Sequence, residues 1–336
     1  MVKADGYGHG AAACAAAALR GGATWLAVAT AREAEELRQH FADPPILVMG
    51  ALTEPELRTA LAAGAEVAVW REGFRELASA LSDGRQTPVH VKYDTGMGRL
   101  GERDPERVLE LARACAADPN LRLAGIWTHF ATADDPDNPY LSQQLEAFRP
   151  VAERVRSLAP SVLVHAANSG ATLAEPDSHF DLVRCGIAIY GLDPFGRDPA
   201  EQGLEPALEL RSYVAAVKRF EAGASAGYGR TWTAPAETCV GVLPVGYGDG
   251  VRRALSNNAE VLVRGRRHPL VGTISMDNLT IDLGPGTEVE VGDEAVLVGP
   301  QVGERILAEE LARRLDTINY EITCGISPRV PRVHIG

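Results

Sequence analysis

Short apolar runs alternate with longer amphipathic segments over the first two-thirds of the chain. The apolar runs predict strands over residues 25–29, 46–49, 66–70, 89–93, 123–129, 162–166 and 182–190. The amphipathic segments between them predict helices over residues 31–41, 54–63, 74–81, 104–117 and 141–158. Strands and helices that alternate at this spacing are typical of parallel βαβ units. With residues 1–2, which precede the first motif, the strand count reaches eight, and this favours a (β/α)8 barrel over an open doubly wound sheet.

The pattern changes after about residue 205. Alternating runs over residues 208–220, 239–244, 259–263, 278–283, 295–298 and 330–335 lie between turns rich in Gly and Pro, and one helix is predicted over 307–315. These features are typical of a mostly β domain. The sequence therefore predicts an α/β fold, with a barrel over residues 1–205 and a mostly β domain over residues 206–336.

Composition excludes several classes of protein. A net charge of −12 over 336 residues argues against a nucleic-acid partner or an anionic membrane surface. The apolar runs are of strand length, so we expect no membrane span. No secretory signal precedes the first motif, and five scattered cysteines without metal-ligand spacing are typical of reduced thiols. We therefore expect a cytoplasmic protein with no metal site.

Lysine is scarce, because Lys3, Lys92 and Lys218 are the only lysines beside thirty arginines. Formation of an imine with an aldehyde requires a lysine amine, since arginine stays protonated. Lys3 begins the run KADGYGHG, whose three glycines allow close approach of the backbone to a ligand. The alternative is a solvated lysine near a flexible terminus, followed by a Gly-rich turn.

Further motifs extend from residue 2 to residue 321. They are VKADGYGHG, VKYDTGMGRLG (91–101), WTHFATAD (127–134), HAANS (165–169), VRCGIAIYG (183–191), GYGRTW (227–232), VGYGDG (245–250), GTISMD (272–277) and INYE (318–321). In these blocks the chain resembles the alanine racemase family, which depends on pyridoxal 5'-phosphate (PLP). The resemblance implies a barrel followed by a β domain, and a homodimer that shares its active sites between subunits. It also implies a racemase that interconverts L- and D-alanine and supplies D-alanine for peptidoglycan of the cell wall.

The resemblance implies two proton-transfer residues. Lys3 matches the lysine that holds PLP as a Schiff base and acts as one base. Tyr228 matches the tyrosine that the partner subunit contributes to the opposite face, although aromatic packing is the alternative for a lone tyrosine. Tyrosine is a weak base near its ordinary pKa of about 10, so it needs neighbours that favour the phenolate. His129 and Arg211 match those neighbours, and the alternative for Arg211 is a solvated strand charge.

Arg184 matches the arginine that faces the pyridine nitrogen of PLP. Because a guanidinium keeps its proton, the ring nitrogen would remain unprotonated and the ring would be a weaker electron sink. Simple reprotonation of the substrate would then be favoured over transamination. His129 matches a residue that holds Arg184 in place. The remaining cofactor-binding matches concern the phosphate: Tyr7, Ser169, Gly186, Ile187 and Tyr320.

Lys92 and Arg99 are two cations close together at the end of a predicted strand. Unpaired buried cations are unfavourable, and in the family the lysine is often carbamylated, so we expect the same at Lys92. Arg99 would then be held against the phenolic oxygen of the cofactor and the substrate carboxylate. In the β domain, the Met276 amide matches a contact to the substrate carboxylate and Tyr247 a tyrosine at the substrate entrance. Ser275 stands where the family often has Cys.

Alternatives remain open. A broad-specificity racemase for serine, lysine or arginine would need a larger pocket, and one sequence does not give pocket size. The basic amino-acid decarboxylases share the architecture, but the GTISMD and GYGRTW blocks favour a racemase, and a non-catalytic PLP carrier would lack the β domain. Only Met1 and Val2 precede Lys3, whereas a strand usually has five or six residues. An inactive racemase that lacks its first strand and helix is therefore a further possibility, with an open seam beside Lys3.

Overall fold

A computed structural model describes residues 1–335 of the chain. The chain divides into two compact units, Met1–Ile189 and Tyr190–Gly336. Each unit has its own sheet structure, and no helix within the described residues is long and apolar enough to cross a membrane.

Unit 1 contains a six-stranded parallel sheet in which the strands follow chain order. The strands are β1 (Leu26–Val28), β2 (Ile46–Val48), β3 (Glu66–Val69), β4 (Thr87–Lys92), β5 (Leu121–Trp127) and β6 (Leu163–His165). All residues of β2 and β3 and most of β4 are buried, which explains the apolar runs of β2 and of residues 67–69, whereas β4 also encloses the polar side chains of His90 and Lys92. The first six predicted strands are therefore confirmed, with their ends shifted by one or two residues.

Helices lie before, between and after these strands, and those between successive strands form the expected parallel βαβ units. They are α2 (Ala11–Arg20), α3 (Ala31–His40), α4 (Glu54–Ala62), α5 (Glu72–Ala80), α6 (Pro105–Ala117), α7 (Tyr140–Leu158) and α8 (Ser169–Ala174), and a single turn, α1 (Lys3–Tyr7), precedes them. Local signals explain their starts. Thr30 and Glu33 form a reciprocal capping box on α3, and Asp104 accepts from two backbone amides at the start of α6. The five predicted helices are confirmed.

The turn α1 is left-handed over several residues. Ala4, Asp5, Gly6 and Tyr7 all have φ between 51° and 62°. This conformation costs a non-glycine residue roughly 1–2 kcal/mol, and such strain concentrates at functional sites. The Val2 amide donates to the Ala27 carbonyl oxygen at 2.9 Å, so the turn begins directly beside β1.

The predicted strand over residues 182–190 is wrong. Asp181 and Arg184 donate single backbone hydrogen bonds to Val164 and Ala167, but the segment then enters a 3₁₀ helix, Ile187–Tyr190. Ile187 and Tyr190 are buried three residues apart, which matches the 3₁₀ period of three. The apolar residues of this segment therefore follow a helical period rather than that of a strand.

Unit 2 is mostly antiparallel β structure. Its strands are β7 (Leu210–Tyr213), β8 (Ala216–Phe220), β9 (Ser225–Ala226), β10 (Trp232–Thr233), β11 (Thr238–Leu243), β12 (Glu260–Val263), β13 (Arg266–Pro269), β14 (Leu279–Gly284), β15 (Glu294–Gln301) and β16 (Glu304–Ile306). They form a β9–β10 pair, a β14–β11–β8 sheet and a β13–β12–β15–β16 sheet, with β7 also paired to β15. Two helices, α9 (Ala308–Arg314) and α10 (Asn319–Cys324), complete the unit.

The expected β domain is confirmed, with two differences. The run 208–220 is two strands, because β7 pairs with β15 whereas β8 pairs with β11. The change of partner falls between Val214, which donates to Asp293, and Ala215, which donates to Val242. The predicted strand over 330–335 is wrong. Pro331 has no amide to donate, and most of this segment is exposed without strand pairing.

Candidate active site

Lys3 and Tyr7 lie at the two ends of the left-handed turn α1. Lys3 is half-buried, and its Nζ atom lies 5.9 Å from the centre of the Tyr7 ring. Tyr7 is buried, and its hydroxyl group lies against Gly186, where an added Cβ would be 2.3 Å from Oη. The strained turn therefore brings Lys3 and Tyr7 beside the segment that follows Arg184.

Ser169 and Gly186 meet at a small polar cradle. Ser169 is buried at the start of α8, and its Oγ accepts from the amides of Gly186 at 2.9 Å and Ala188 at 3.3 Å. Ile187 is fully buried between these two donors. The predicted phosphate-binding residues of unit 1 are thus neighbours in space.

Arg184 is the most extensively hydrogen-bonded side chain of the site. Its NH2 group lies 2.8 Å from the carbonyl oxygens of Thr128 and Ala166 and 3.1 Å from His129 Nδ1, and its NH1 group lies 3.0 Å from His165 Nδ1. The buried Nε–H has no partner within residues 1–335. Burial lowers the pKa of Arg184 to about 9, so the guanidinium stays cationic at neutral pH.

His129 is held in one neutral form. Burial, together with the positive charges of Arg184 and Lys92, lowers the pKa of His129 well below its ordinary value of 6.5. Because Arg184 can only donate, His129 Nδ1 is the acceptor and the remaining proton is on Nε2. The structure therefore brings together the two residues that the sequence predicts to be partners.

Lys92 is a buried amine at the end of β4, only 1 % exposed. Its Nζ atom lies 4.3 Å from the centre of the Trp127 ring and makes no hydrogen bond within the described residues. Burial, and then the charge of Arg184, lowers the pKa of Lys92 to about 7, although Asp94 opposes this shift. Arg99 is exposed, but its charge acts on both Lys92 and His129.

The predicted site residues of unit 2 are exposed to different degrees. Tyr228 is 73 % exposed, Met276 52 % and Tyr247 42 %. Tyr228 and Tyr247 each begin a short 3₁₀ helix, and Met276 lies in a loop. The amides of Tyr247 and Gly248 donate to the carbonyls of Ser275 and Met276, which joins two of these segments. Tyr320 is half-buried in the first turn of α10.

Arg211, the other expected neighbour of the tyrosine, has carboxylate partners of its own. It forms ion pairs with Glu209 and Glu294, the latter at 2.7 Å. Both carboxylates raise its pKa. Its guanidinium is therefore already engaged within unit 2.

Comparison with known proteins matches the chain to two family models in succession. Residues 1–194 match the family model described as alanine racemase, N-terminal domain, and residues 207–334 match alanine racemase, C-terminal domain. The chain belongs to the alanine racemase family.

Curated relatives and solved structures agree with this assignment. Alanine racemase from Symbiobacterium thermophilum is 45% identical over 100% of this chain and 90% of its own, and that from Desulforamulus reducens is 42% identical over 100% and 91%. The structure of alanine racemase from Streptomyces coelicolor A3(2) superposes with a TM-score of 0.93 at 40% identity, over 99% of this chain and 90% of that one. As a member of the alanine racemase family, the protein is an isomerase with a barrel domain and a mostly β domain.

The sequence motifs of the alanine racemase family did not predict the buried polar side chains that are hydrogen-bonded to Arg184, directly or in series. His165 belongs to the HAANS block but was not predicted as a site residue. It is fully buried and accepts a hydrogen bond from Arg184. His90 and Glu66 are also buried and continue from His165 into the sheet. A signal was present in β4, because His90 and Lys92 are two residues apart and therefore point to the same face of the strand.

Proposed function

We propose that the protein interconverts L- and D-alanine with PLP, and that Lys3 and Tyr228 exchange the Cα proton on opposite faces of the substrate. The observation that best supports the cofactor is the buried Arg184 Nε–H, which has no acceptor within residues 1–335. A buried donor without a partner is costly, and the pyridine nitrogen of PLP is an acceptor of the required kind. When bound, PLP supplies an electron sink for negative charge at Cα.

The proposed cofactor contacts use residues of unit 1 that lie near Arg184, together with Tyr320 of unit 2. Lys3 would hold PLP covalently, and Arg184 would donate to its ring nitrogen without transferring a proton. Ser169 and the amides of Gly186 and Ile187, with the hydroxyls of Tyr7 and Tyr320, would bind the phosphate. This assignment is supported by the contact of Ser169 Oγ with the Gly186 amide at 2.9 Å and by the packing of Tyr7 against Gly186.

The charges around His129 suit an anionic ligand. Lys3, Lys92, Arg99 and Arg184 all act to lower its pKa, which means that positive potential is concentrated there. Phosphate and the substrate carboxylate would both be attracted to this region. We propose that Arg99 and the Met276 amide bind the substrate carboxylate, and that Tyr247 lines the entrance.

We propose that Lys92 is carbamylated. A carbamate forms when the neutral amine adds to CO2 and releases a proton. A pKa of about 7 makes a large share of neutral amine available at physiological pH. The resulting anion would offset the charges of Arg184 and Arg99 and hold Arg99 towards the substrate.

Tyr228 would act as the second base from the partner subunit of a homodimer. Its 73 % exposure leaves the hydroxyl available to another chain. His129, neutral with its proton on Nε2, and Arg211 are the proposed neighbours that tune this tyrosine. D-Alanine made in this way would supply cell-wall peptidoglycan, and the scattered spacing of the five cysteines fits the cytoplasmic location that we expect.

The test is formation of D-alanine from L-alanine by purified protein with added PLP. We expect activity in the wild type and in Lys218→Ala, which removes an exposed lysine of unit 2. Lys3→Ala should lose both activity and bound PLP. Serine, lysine and arginine as substrates would reveal a broader racemase, and a wild type that retains PLP but is inactive towards all four amino acids would overturn the proposal. The solved structure of the Bacillus anthracis alanine racemase with bound L-Ala-P, 37% identical with a TM-score of 0.90, makes alanine the first substrate to try.

A further inference from the structure

Four buried side chains form a continuous hydrogen-bonded chain through unit 1. Arg184 NH1 lies 3.0 Å from His165 Nδ1, and His165 Nε2 lies 2.9 Å from His90 Nδ1. His90 Nε2 lies 2.7 Å from Glu66 Oε2. Each of the four residues is at most 6 % exposed. We name this set the Arg184–Glu66 chain.

The guanidinium at one end of the Arg184–Glu66 chain and the carboxylate at the other determine which ring nitrogen of each histidine carries a proton. Arginine can only donate, so His165 Nδ1 must accept and the proton of neutral His165 must lie on Nε2. His165 Nε2–H therefore donates to His90 Nδ1, which places the His90 proton on Nε2. That group donates to the Glu66 carboxylate. Burial and the charge of Arg184 lower the pKa of His165 well below 6.5, in agreement with its neutral form.

All three hydrogen bonds thus point in one direction, from the guanidinium to the carboxylate. Aligned hydrogen bonds polarise one another in a low-dielectric interior, so they strengthen cooperatively. A buried guanidinium also needs compensating negative charge. The Glu66 carboxylate provides this charge through two neutral imidazoles, without an ion-pair contact that would occupy Arg184.

The surrounding residues are shaped to hold this chain. A Cβ atom at Gly125 would lie 2.1 Å from His90 Nδ1, so only glycine at this position leaves room for the ring. Trp127 is stacked on His165 with an interplanar angle of 4°, and Trp25 contacts His90 edge-on. Glu66 is the first residue of β3 and His165 is the last residue of β6. The Arg184–Glu66 chain therefore extends from the N-terminal end of one strand to the C-terminal end of another.

We infer that Glu66 and His90 are positioning residues of the racemase: through His165 they hold the Arg184 guanidinium in a single orientation, with its Nε–H presented to the active site. The catalytic part of this inference rests on the proposed function, whereas the proton positions do not. If Glu66 is replaced by an apolar residue, His90 Nε2–H loses its acceptor. His90 can then carry its proton on Nδ1, where it opposes the His165 proton and disturbs the contact with Arg184.

The test is ¹⁵N NMR of histidine-labelled protein carrying its cofactor, which distinguishes protonated from unprotonated ring nitrogens. Assignments follow from His90→Asn and His165→Asn. In the wild type we expect His90 and His165 each to carry one proton, on Nε2. Glu66→Leu should give His90 a protonated Nδ1 population and lower kcat about tenfold with little change in KM, the size typical of losing an outer partner of a site residue. Glu66→Gln retains an acceptor oxygen and should restore the wild-type tautomers.

Arg122→Gln is the matched control. Arg122 is exposed and pairs with Glu66 Oε1 at 3.6 Å, but it is not a member of the Arg184–Glu66 chain, in which His90 contacts Glu66 Oε2. It should leave both the tautomers and kcat unchanged, and thermal unfolding should show that all variants are folded. A protonated Nδ1 on His90 or His165 in the wild type would overturn the inference, as would a Glu66→Leu spectrum identical to the wild type. If the tautomers are as expected but the protein does not racemise alanine, the proposed function fails and the structural part of the inference stands.

Discussion

Lys92 Nζ lies 4.3 Å from the centre of the Trp127 ring. The amine is 1 % exposed and has no hydrogen-bond acceptor within residues 1–335. The face of the Trp127 ring gives the ammonium group part of the stabilisation that water would give. The positive charges of Arg184 and Arg99 repel the ammonium group. The amine is therefore poised between its charged and neutral forms near neutral pH.

This relationship predicts a specific pH dependence of stability in buffers free of CO2. The pKa of Lys92 is lowered from 10.5 to about 7, so between these values the unfolded chain binds a proton that the folded chain does not. The free energy of unfolding should therefore rise with pH across this window, by on the order of 4 kcal/mol from Lys92. Urea denaturation at pH 7 and pH 10 would measure this rise. Lys92→Met should reduce it, and an unchanged slope in that variant would contradict the assignment.

Carbamylation of Lys92 can be tested directly with ¹³C-bicarbonate. We expect a carbamate signal in the NMR spectrum at pH 8, because the neutral amine is abundant above a pKa of about 7. The signal should be absent in Lys92→Met and retained in Lys218→Met. Since the carbamate is labile, a lower intact mass at low CO2 is not informative. Unmodified Lys92 in well-ordered electron density with bicarbonate present would rule the modification out.

Tyr228→Phe should separate the two proton transfers. Removal of one acid–base group typically lowers the rate by about a hundred- to ten-thousand-fold, so we expect racemisation to fall by this amount while PLP stays bound. Lys3 should still exchange the Cα proton of one alanine enantiomer with solvent deuterium. Mass spectrometry of recovered L- and D-alanine would measure this exchange. Equal loss of exchange from both enantiomers would show that Tyr228 is not the base for one face.

A shared active site predicts complementation between two inactive variants. In a mixed dimer of Lys3→Ala and Tyr228→Phe chains, one of the two sites would contain both an intact Lys3 and an intact Tyr228. Random exchange of subunits should therefore restore about a quarter of wild-type activity. The measurement is D-alanine formation after the two variants are mixed, with each variant alone as the control. Persistent inactivity in a mixture that demonstrably contains mixed dimers would place both residues of a site in one chain.

Gly186→Ala should weaken PLP binding without damaging the fold. The new Cβ would lie 2.3 Å from Tyr7 Oη and force the tyrosine away from the Ser169 cradle. Overpacking of this kind costs roughly 1–3 kcal/mol, which corresponds to PLP affinity lower by about ten- to a hundred-fold. Fluorescence titration with PLP would measure the affinity. In the control Gly21→Ala the nearest atoms are 3.4 Å away, so affinity should not change, and equal affinities in both variants would contradict the predicted cradle.

The local sequence determined the elements that local forces control. Alternating apolar and amphipathic segments identified the first six strands and five helices of unit 1, because strands that are buried on both faces of a parallel sheet are mostly apolar. Short motifs were sufficient to assign the family, and chemistry was sufficient to single out Lys3, since only lysine forms an imine. Residues 182–190 were misread because their apolar content suits a strand, whereas the backbone after Gly186 turns into a 3₁₀ helix.

Only the tertiary structure decided which polar side chains meet in the interior. Glu66 and His90 are 24 positions apart and His90 and His165 are 75 apart, so no local pattern connects them. Their contact depends on the register of parallel strands, in which Ala68 pairs with His90 and His90 with Gly125. Burial of Lys92 against Trp127 follows from the same register. The sequence by itself supplied the residues of the chemistry, and the sheet decided their partners, their proton positions and their pKa values.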